Sequence, residues 1–132
     1  MWATESRDGL LAVTGDGGHI VCERCHAPGT VTGRMRGLLG RSELPLGEGL
    51  LLRRAPAIHT FFMRFAIDAV FLDRQMVVIG MESDVPPWRV VARRGAWAVL
   101  ELPAGEGLRR GIRRGERLTL TPNRSRKGEE AR

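Results

Sequence analysis

The chain has 132 residues, 42% of them hydrophobic and 27% charged, with 21 basic against 15 acidic side chains and a formal net charge of +6. That length suits one compact domain, taken as residues 1–121, and argues against a multi-domain reading. The longest apolar stretches, such as Gly49 to Leu52 and Ala69 to Leu72, fall far short of the ~20 residues a helical membrane span requires.

The amino end carries Glu5 and Asp8 instead of a basic region leading into a long apolar core, so no secretory leader and a cytoplasmic location are expected. Leu10 to Thr14 and His19 to Cys22 read as two short strands about the turn Gly15-Asp16-Gly17-Gly18, which makes a hairpin. Cys22 and Cys25 are the only cysteines, and with His26 they form a C-x-x-C-H run. Haem attachment, zinc binding and thiol redox chemistry each match that run formally. In a strand, positions three apart point to opposite faces, so the two sulfurs meet only if a turn intervenes. Two cysteines in a strand and its exit is therefore the favoured reading, with Cys22, Cys25 and His26 kept as metal candidates.

Thr30 or Thr32 can cap a helix whose apolar side holds Met35, Leu38 and Leu39, ending at Pro45 and Gly47. Gly49 to Arg53 returns to strand character and Ala55-Pro56 breaks it. Ile58 to Phe65 is the most aromatic stretch; read as an extended strand, it puts His59, Phe61, Met63 and Phe65 on one side and Thr60, Phe62 and Arg64 on the other. Ile67 to Asp73 and Met76 to Met81 form the central hairpin. Asp84 to Trp88, with Pro86-Pro87, is a loop or an edge. Ala96 to Leu102 is a strand, Pro103 to Gly111 holds a short helix entered at Pro103, and Arg117 to Thr121 is the last strand. Residues 122–132 are polar and charged, and a disordered tail is expected there. The fold class is α+β, mainly β: a small curled antiparallel sheet, or a partly open β-barrel, with one or two short helices.

Charge alone does not name a partner. Of the 21 basic residues 20 are Arg, and the densest run, Arg109 to Arg117, has no interleaved aromatic on which bases would stack, so no specific nucleic-acid binding is expected. Phosphate-binding glycine loops, the H-E-x-x-H zinc motif and the G-x-S-x-G elbow are missing, and no cofactor is expected.

Several blocks in order carry a family resemblance: Arg36-Gly37-Leu38-Leu39-Gly40-Arg41, Gly47 to Leu52, His59-Thr60-Phe61-Phe62-Met63-Arg64-Phe65-Ala66-Ile67-Asp68, and Val99-Leu100-Glu101-Leu102-Pro103-Ala104-Gly105. Over about Val21 to Leu120 the chain resembles the bacterial and archaeal family called domain of unknown function 192. The resemblance implies a compact, β-rich domain curled toward a barrel and brings no catalytic assignment. Phe62 and Arg64 stand where many relatives carry Trp and Lys, and the Cys22/Cys25/His26 cluster lies outside the shared pattern.

The candidate ligand-binding residues are His59, Met63, Arg64, Asp68, Glu101 and Arg36. A His on an apolar face is more often a satisfied core residue than a base, and a carboxyl within Ile67 to Leu72 must accept backbone hydrogen bonds or pair with Arg64. The expected function is a non-enzymatic module that binds an unknown small molecule or a protein. The rival is a small hydrolase or lyase using His59 with Asp68 or Glu101. It requires these side chains, with Arg36 or Arg64, to share one cleft.

Overall fold

The computed structural model of the chain describes residues 10–28 and 42–123. The helix expected around Met35, the side chain of Arg36 and most of the expected tail lie outside the described residues. Among the described residues there are nine strands: β1 (Leu11–Thr14), β2 (Ile20–His26), β3 (Glu48–Arg53), β4 (Ala57–His59), β5 (Ile67–Leu72), β6 (Val78–Val85), β7 (Val90–Ala92), β8 (Ala98–Pro103) and β9 (Thr119–Pro122). A four-residue helix, α1 (Glu106–Arg109), follows β8. No helix among the described residues is long and apolar enough to cross a membrane.

Seven strands form one sheet in the order β6-β5-β8-β3-β2-β1-β9, and β4 pairs with β7 in a separate two-stranded ribbon. The expected hairpins β1–β2 and β5–β6 are present, both antiparallel. The sheet is not antiparallel throughout, because β2 and β3 run parallel; a parallel neighbour needs a long crossover, and the segment between them includes residues 29–41. Register irregularities in β1–β2 and β5–β6 add local twist and bend the sheet. It does not close into a barrel, but an antiparallel bridge joins Val77 to Arg117, just ahead of the two edge strands β6 and β9.

Alternation along the central strands divides the apolar side chains between two cores. Val70 and Leu72 of β5, Leu51 of β3 and Ala98, Leu100 and Leu102 of β8 enter a cluster to which all seven strands of the sheet contribute, which marks it as the inside of the curl. Ile67, Ala69 and Phe71, with Leu50, Leu52 and Val99, enter the second cluster, which Leu44, Ala55, Ile58 and Met63 cover from outside. Every residue of β5 and of β8 is buried, as expected for strands covered on both faces. Gly49 on β3 is needed for this packing: a Cβ there would lie 2.9 Å from Cys22 Sγ and 3.0 Å from the Glu101 carbonyl oxygen.

Three segments depart from the sequence expectation. The strand expected from Ile58 to Phe65 stops at His59 and gives way to a turn at Phe61-Phe62. Val90–Ala92, unassigned in sequence, forms β7 because it pairs with β4. Pro103 ends β8 instead of opening the helix; α1 starts at Glu106 after Gly105, whose φ of 92° only glycine adopts readily.

Buried Glu106 ties α1 to β2. Its carboxylate accepts from the Arg109 and Arg110 guanidinia, and Arg110 continues to Glu23 at 2.8 Å and to the Ile20 carbonyl at 3.1 Å. Hydrogen bonding from Arg109 holds the Glu106 carboxyl below the ordinary carboxylate range, and Arg110 does the same for Glu23. A lowered folded-state pKa gives stability that is present above the unfolded value and lost as pH falls through the folded one. Urea midpoints should therefore fall below about pH 4.5 more steeply in wild type than in Glu106→Gln. At neutral pH, Arg110→Ala should cost about 2 kcal/mol, because it removes charged hydrogen bonds from a buried carboxylate.

Candidate functional site

Of the six residues nominated from sequence, the five that are described do not share a cleft. Asp68 on β5 is fully buried, and its cross-strand neighbour is Leu102, whereas Glu101 lies opposite Ala69. Directly paired residues share a face and successive residues alternate, so Asp68 points into the inner core and Glu101 to the outer one. Met63 is buried in the outer core. Arg64 is exposed. Arg36 lies outside the described residues.

His59 is exposed, not a core residue. Its Nδ1 accepts from the Phe61 amide at 3.2 Å and its ring lies 4.8 Å from that of Phe61, so neither Asp68 nor Glu101 orients it. Asp68 is saturated by backbone. Oδ1 accepts from the Asp84 amide at 2.8 Å, and Oδ2 accepts from the amides of Gly105 at 3.0 Å and Gly107 at 2.8 Å. Of the two partners expected for this carboxyl, the backbone is the one found, and the acid–base pair that the hydrolase reading needs is not assembled.

The cysteine run is also interior. Cys22 and Cys25 are free thiols buried in the inner core. No turn brings them to one face; an extra β2 residue between the pairs Leu11–Cys25 and Val13–Cys22 does so. Hydrogen bonding with Cys22, followed by burial, raises the Cys25 thiol well above its ordinary range, which disfavours the thiolate that metal binding and redox attack both require. Among the described residues no three His, Cys, Asp or Glu side chains gather as a metal site.

The structure instead assembles a group of side chains at the ribbon β4–β7. Trp88 stacks on Phe61 at 5.6 Å and meets Phe62 at 4.6 Å, so His59, Phe61, Phe62 and Trp88 form a continuous ring cluster. Phe62 is 66% exposed, Trp88 55% and Val90 63%. Val90 lies directly across from His59 in the ribbon, which extends the apolar surface along its outer face. Phe62 and Trp88 both have left-handed backbones, with φ of 67° and 68°. For bulky residues that conformation costs on the order of 1 kcal/mol each.

Thr60 holds the two aromatic turns together. It is fully buried, and its hydroxyl donates to the Pro86 carbonyl at 2.7 Å while accepting from the Arg89 amide at 2.9 Å. Its backbone adds bonds from the Trp88 amide at 3.0 Å and to the Arg89 carbonyl at 2.8 Å. Sequence reasoning missed this residue. The available signal was a lone hydroxyl between an exposed imidazole and two aromatics, which periodicity reads as one more strand position.

A curled domain, mainly β with one short α-helix among the described residues, and a surface cluster of aromatic turns is the class of protein these features define. The chain belongs to the DUF192 family, described as an uncharacterized ACR, whose model matches residues 13–120. Among solved structures, it is similar to a protein of unknown function from Novosphingobium aromaticivorans DSM 12444, at 25% identity and a TM-score of 0.70, over 83% of each chain. It shares its fold with a chain from Sinorhizobium meliloti 1021 described as a candidate transcription regulator, at 20% identity and a TM-score of 0.72, over 84% of this chain and 92% of that one. No curated protein matches.

Two substitutions separate support from surface. Asp68→Asn exchanges an acceptor oxygen for a donor facing buried amides and should cost about 2–3 kcal/mol in urea unfolding. Thr60→Val keeps the shape but deletes both hydroxyl bonds; it should cost about 2 kcal/mol and shift the Trp88 emission as the two turns separate.

Proposed function

We propose that this protein is a non-enzymatic binding module that meets its partner through the paired aromatic turns at Phe61-Phe62 and Trp88, with His59 and Val90 beside them. The observation that carries this reading is that Phe62 and Trp88 are both large, apolar, more than half exposed and held in left-handed backbone. Folding by itself favours burying such side chains and relaxing such a backbone, and strained residues of this kind concentrate where a contact surface is presented. Aromatic side chains in rigid settings are also the residues that dominate binding energy when they are covered.

The supporting scaffold fits a binding role. Ile58 and Met63 anchor the same segment in the outer core, and Thr60 cross-links its turn to the other, so the exposed rings are presented with little freedom left to lose on contact. The carboxyls considered for catalysis are buried within the sheet, which leaves the ring cluster and its flanking arginines as the chemistry on this surface.

Photo-crosslinking in the native host tests this. A benzophenone amino acid at position 90, beside the ring cluster, should give an adduct with a protein or a lipid, read by mass spectrometry, whereas the same probe at exposed Arg74, in the β5–β6 turn, should give none. Phe62→Gly should remain within about 1 kcal/mol of wild-type stability, because glycine relieves the left-handed strain while loosening the unfolded chain, yet the adduct from position 90 should fall sharply. Equal labelling from positions 74 and 90, or none from either, would sink the reading.

A further inference from the structure

We infer that the partner of the aromatic turns is the surface of an anionic phospholipid bilayer, a proposal that rests on the binding role just described and names its ligand. Each turn carries an aromatic followed closely by an arginine, Phe62 with Arg64 and Trp88 with Arg89. Both arginines are exposed. The Arg89 guanidinium reaches only its neighbour's carbonyl, donating to Trp88 O at 3.4 Å, and neither side chain has a carboxylate partner among the described residues. Asp84, the nearest carboxylate upstream of Trp88, has its amide on Asp68 and forms no ion pair with either arginine. The chain as a whole is cationic, at +6.

Charge, more than area, favours a lipid surface over a protein, because the two exposed arginines beside the rings lack carboxylate partners among the described residues. Phe62, Trp88 and Val90 together expose roughly 300–400 Å² of apolar surface, judged from the area such side chains present. A stable protein interface covers about 800 Å² on each partner, a little over half of it apolar, with a polar rim of matched hydrogen bonds. Two exposed turns carrying Phe and Trp need no matched polar rim at a bilayer. The rings enter the headgroup region, where Trp is favoured, and adjacent guanidinia meet lipid phosphates. A nucleic-acid strand is a poorer match, because base stacking needs open ring faces and Trp88 already lies against Phe61 and Phe62.

Flotation of the full-length protein with vesicles tests this. Vesicles of phosphatidylcholine containing one-third phosphatidylglycerol should carry at least about tenfold more protein than pure phosphatidylcholine, since each arginine near the surface adds to binding. Salt should weaken the binding. Arg64→Glu with Arg89→Glu should erase the preference for anionic vesicles, while Arg74→Glu with Arg114→Glu, which changes net charge equally, should leave most of it. Phe62→Gly with Trp88→Ala should abolish flotation in protein whose melting remains cooperative. No flotation of wild type, flotation unchanged in the aromatic variant, or equal loss from both arginine pairs overturns the lipid assignment. A discrete protein adduct from the probe at position 90 together with absent flotation overturns the lipid partner and leaves the binding role standing; absence of both removes the two readings together.

Discussion

A carboxyl group is buried in the most apolar strand of this protein, and much of the architecture follows from how it is satisfied. Asp68 sits on β5, where every residue is shielded from water, and leaving it unpaired there would cost several kcal/mol. It draws in three amides, one from the end of β6 and two from the entry to α1. Those bonds bring Asp84 and the Gly105–Gly107 turn against β5. Gly107 lies close to its neighbours: a Cβ there would lie 2.2 Å from Met81 Sδ, forcing that side chain to move, and 3.1 Å from Asp68 Oδ2. From Asp84 the chain runs two residues to Pro86, whose carbonyl accepts the Thr60 hydroxyl. A short polar path thus leads from the inner core to the exposed aromatic turns and fixes their position on the scaffold.

The second constraint is the curl of the sheet. With an apolar cluster on each face, the sheet needs cover outside as well as inside, and the segment from β3 to β5 supplies it through Ala55, Ile58, Met63 and Phe65. That segment cannot continue as a regular strand, because it must both cover the outer core and turn back toward β5. Arg93 completes the cover from the β7 side, with its guanidinium 5.6 Å from the ring centre of Phe71 and close over Gly80. The aromatic turns are therefore the outermost part of the covering layer: Met63 is held inward, Phe62 is turned outward, and Thr60 between them and the 86–89 turn takes the polar bonds.

Other buried polar groups tie neighbouring elements together. Buried Glu116 accepts from the amides of Arg113 at 2.6 Å and Asp16 at 3.1 Å, and faces His19 Nε2 at 3.4 Å, which clips the β1–β2 turn to the segment ahead of β9. Together with the Val77–Arg117 bridge, this holds the two edges of the sheet near each other without closing it. Buried carboxyls at positions 68, 106 and 116 all stand at junctions between elements, where backbone amides or guanidinia would otherwise be left unsatisfied.

Local pattern was sufficient for much of the fold. The hairpins about Gly15–Gly18 and Arg74-Gln75 and the strands expected over Gly49 to Arg53 and Ala96 to Leu102, found at Glu48–Arg53 and Ala98–Pro103, follow from apolar alternation and turn residues, and the blocks around His59 and Glu101 were enough to indicate the family. Pairing across the chain decided the rest. Val90–Ala92 is a strand only because Ala57–His59 lies beside it, and the parallel run of β2 beside β3 exists only once the two strands are paired. The two cysteines share a face because one strand takes an extra residue against its neighbour, a count that exists only once both strands are aligned. The proposed binding surface belongs to this second group. Thr60 and Trp88 are 28 positions apart, and the hydroxyl that joins their turns is an ordinary strand residue until its acceptor and donor arrive from elsewhere in the chain. Sequence states which side chains avoid water, while only the folded backbone decides which of them are left facing it.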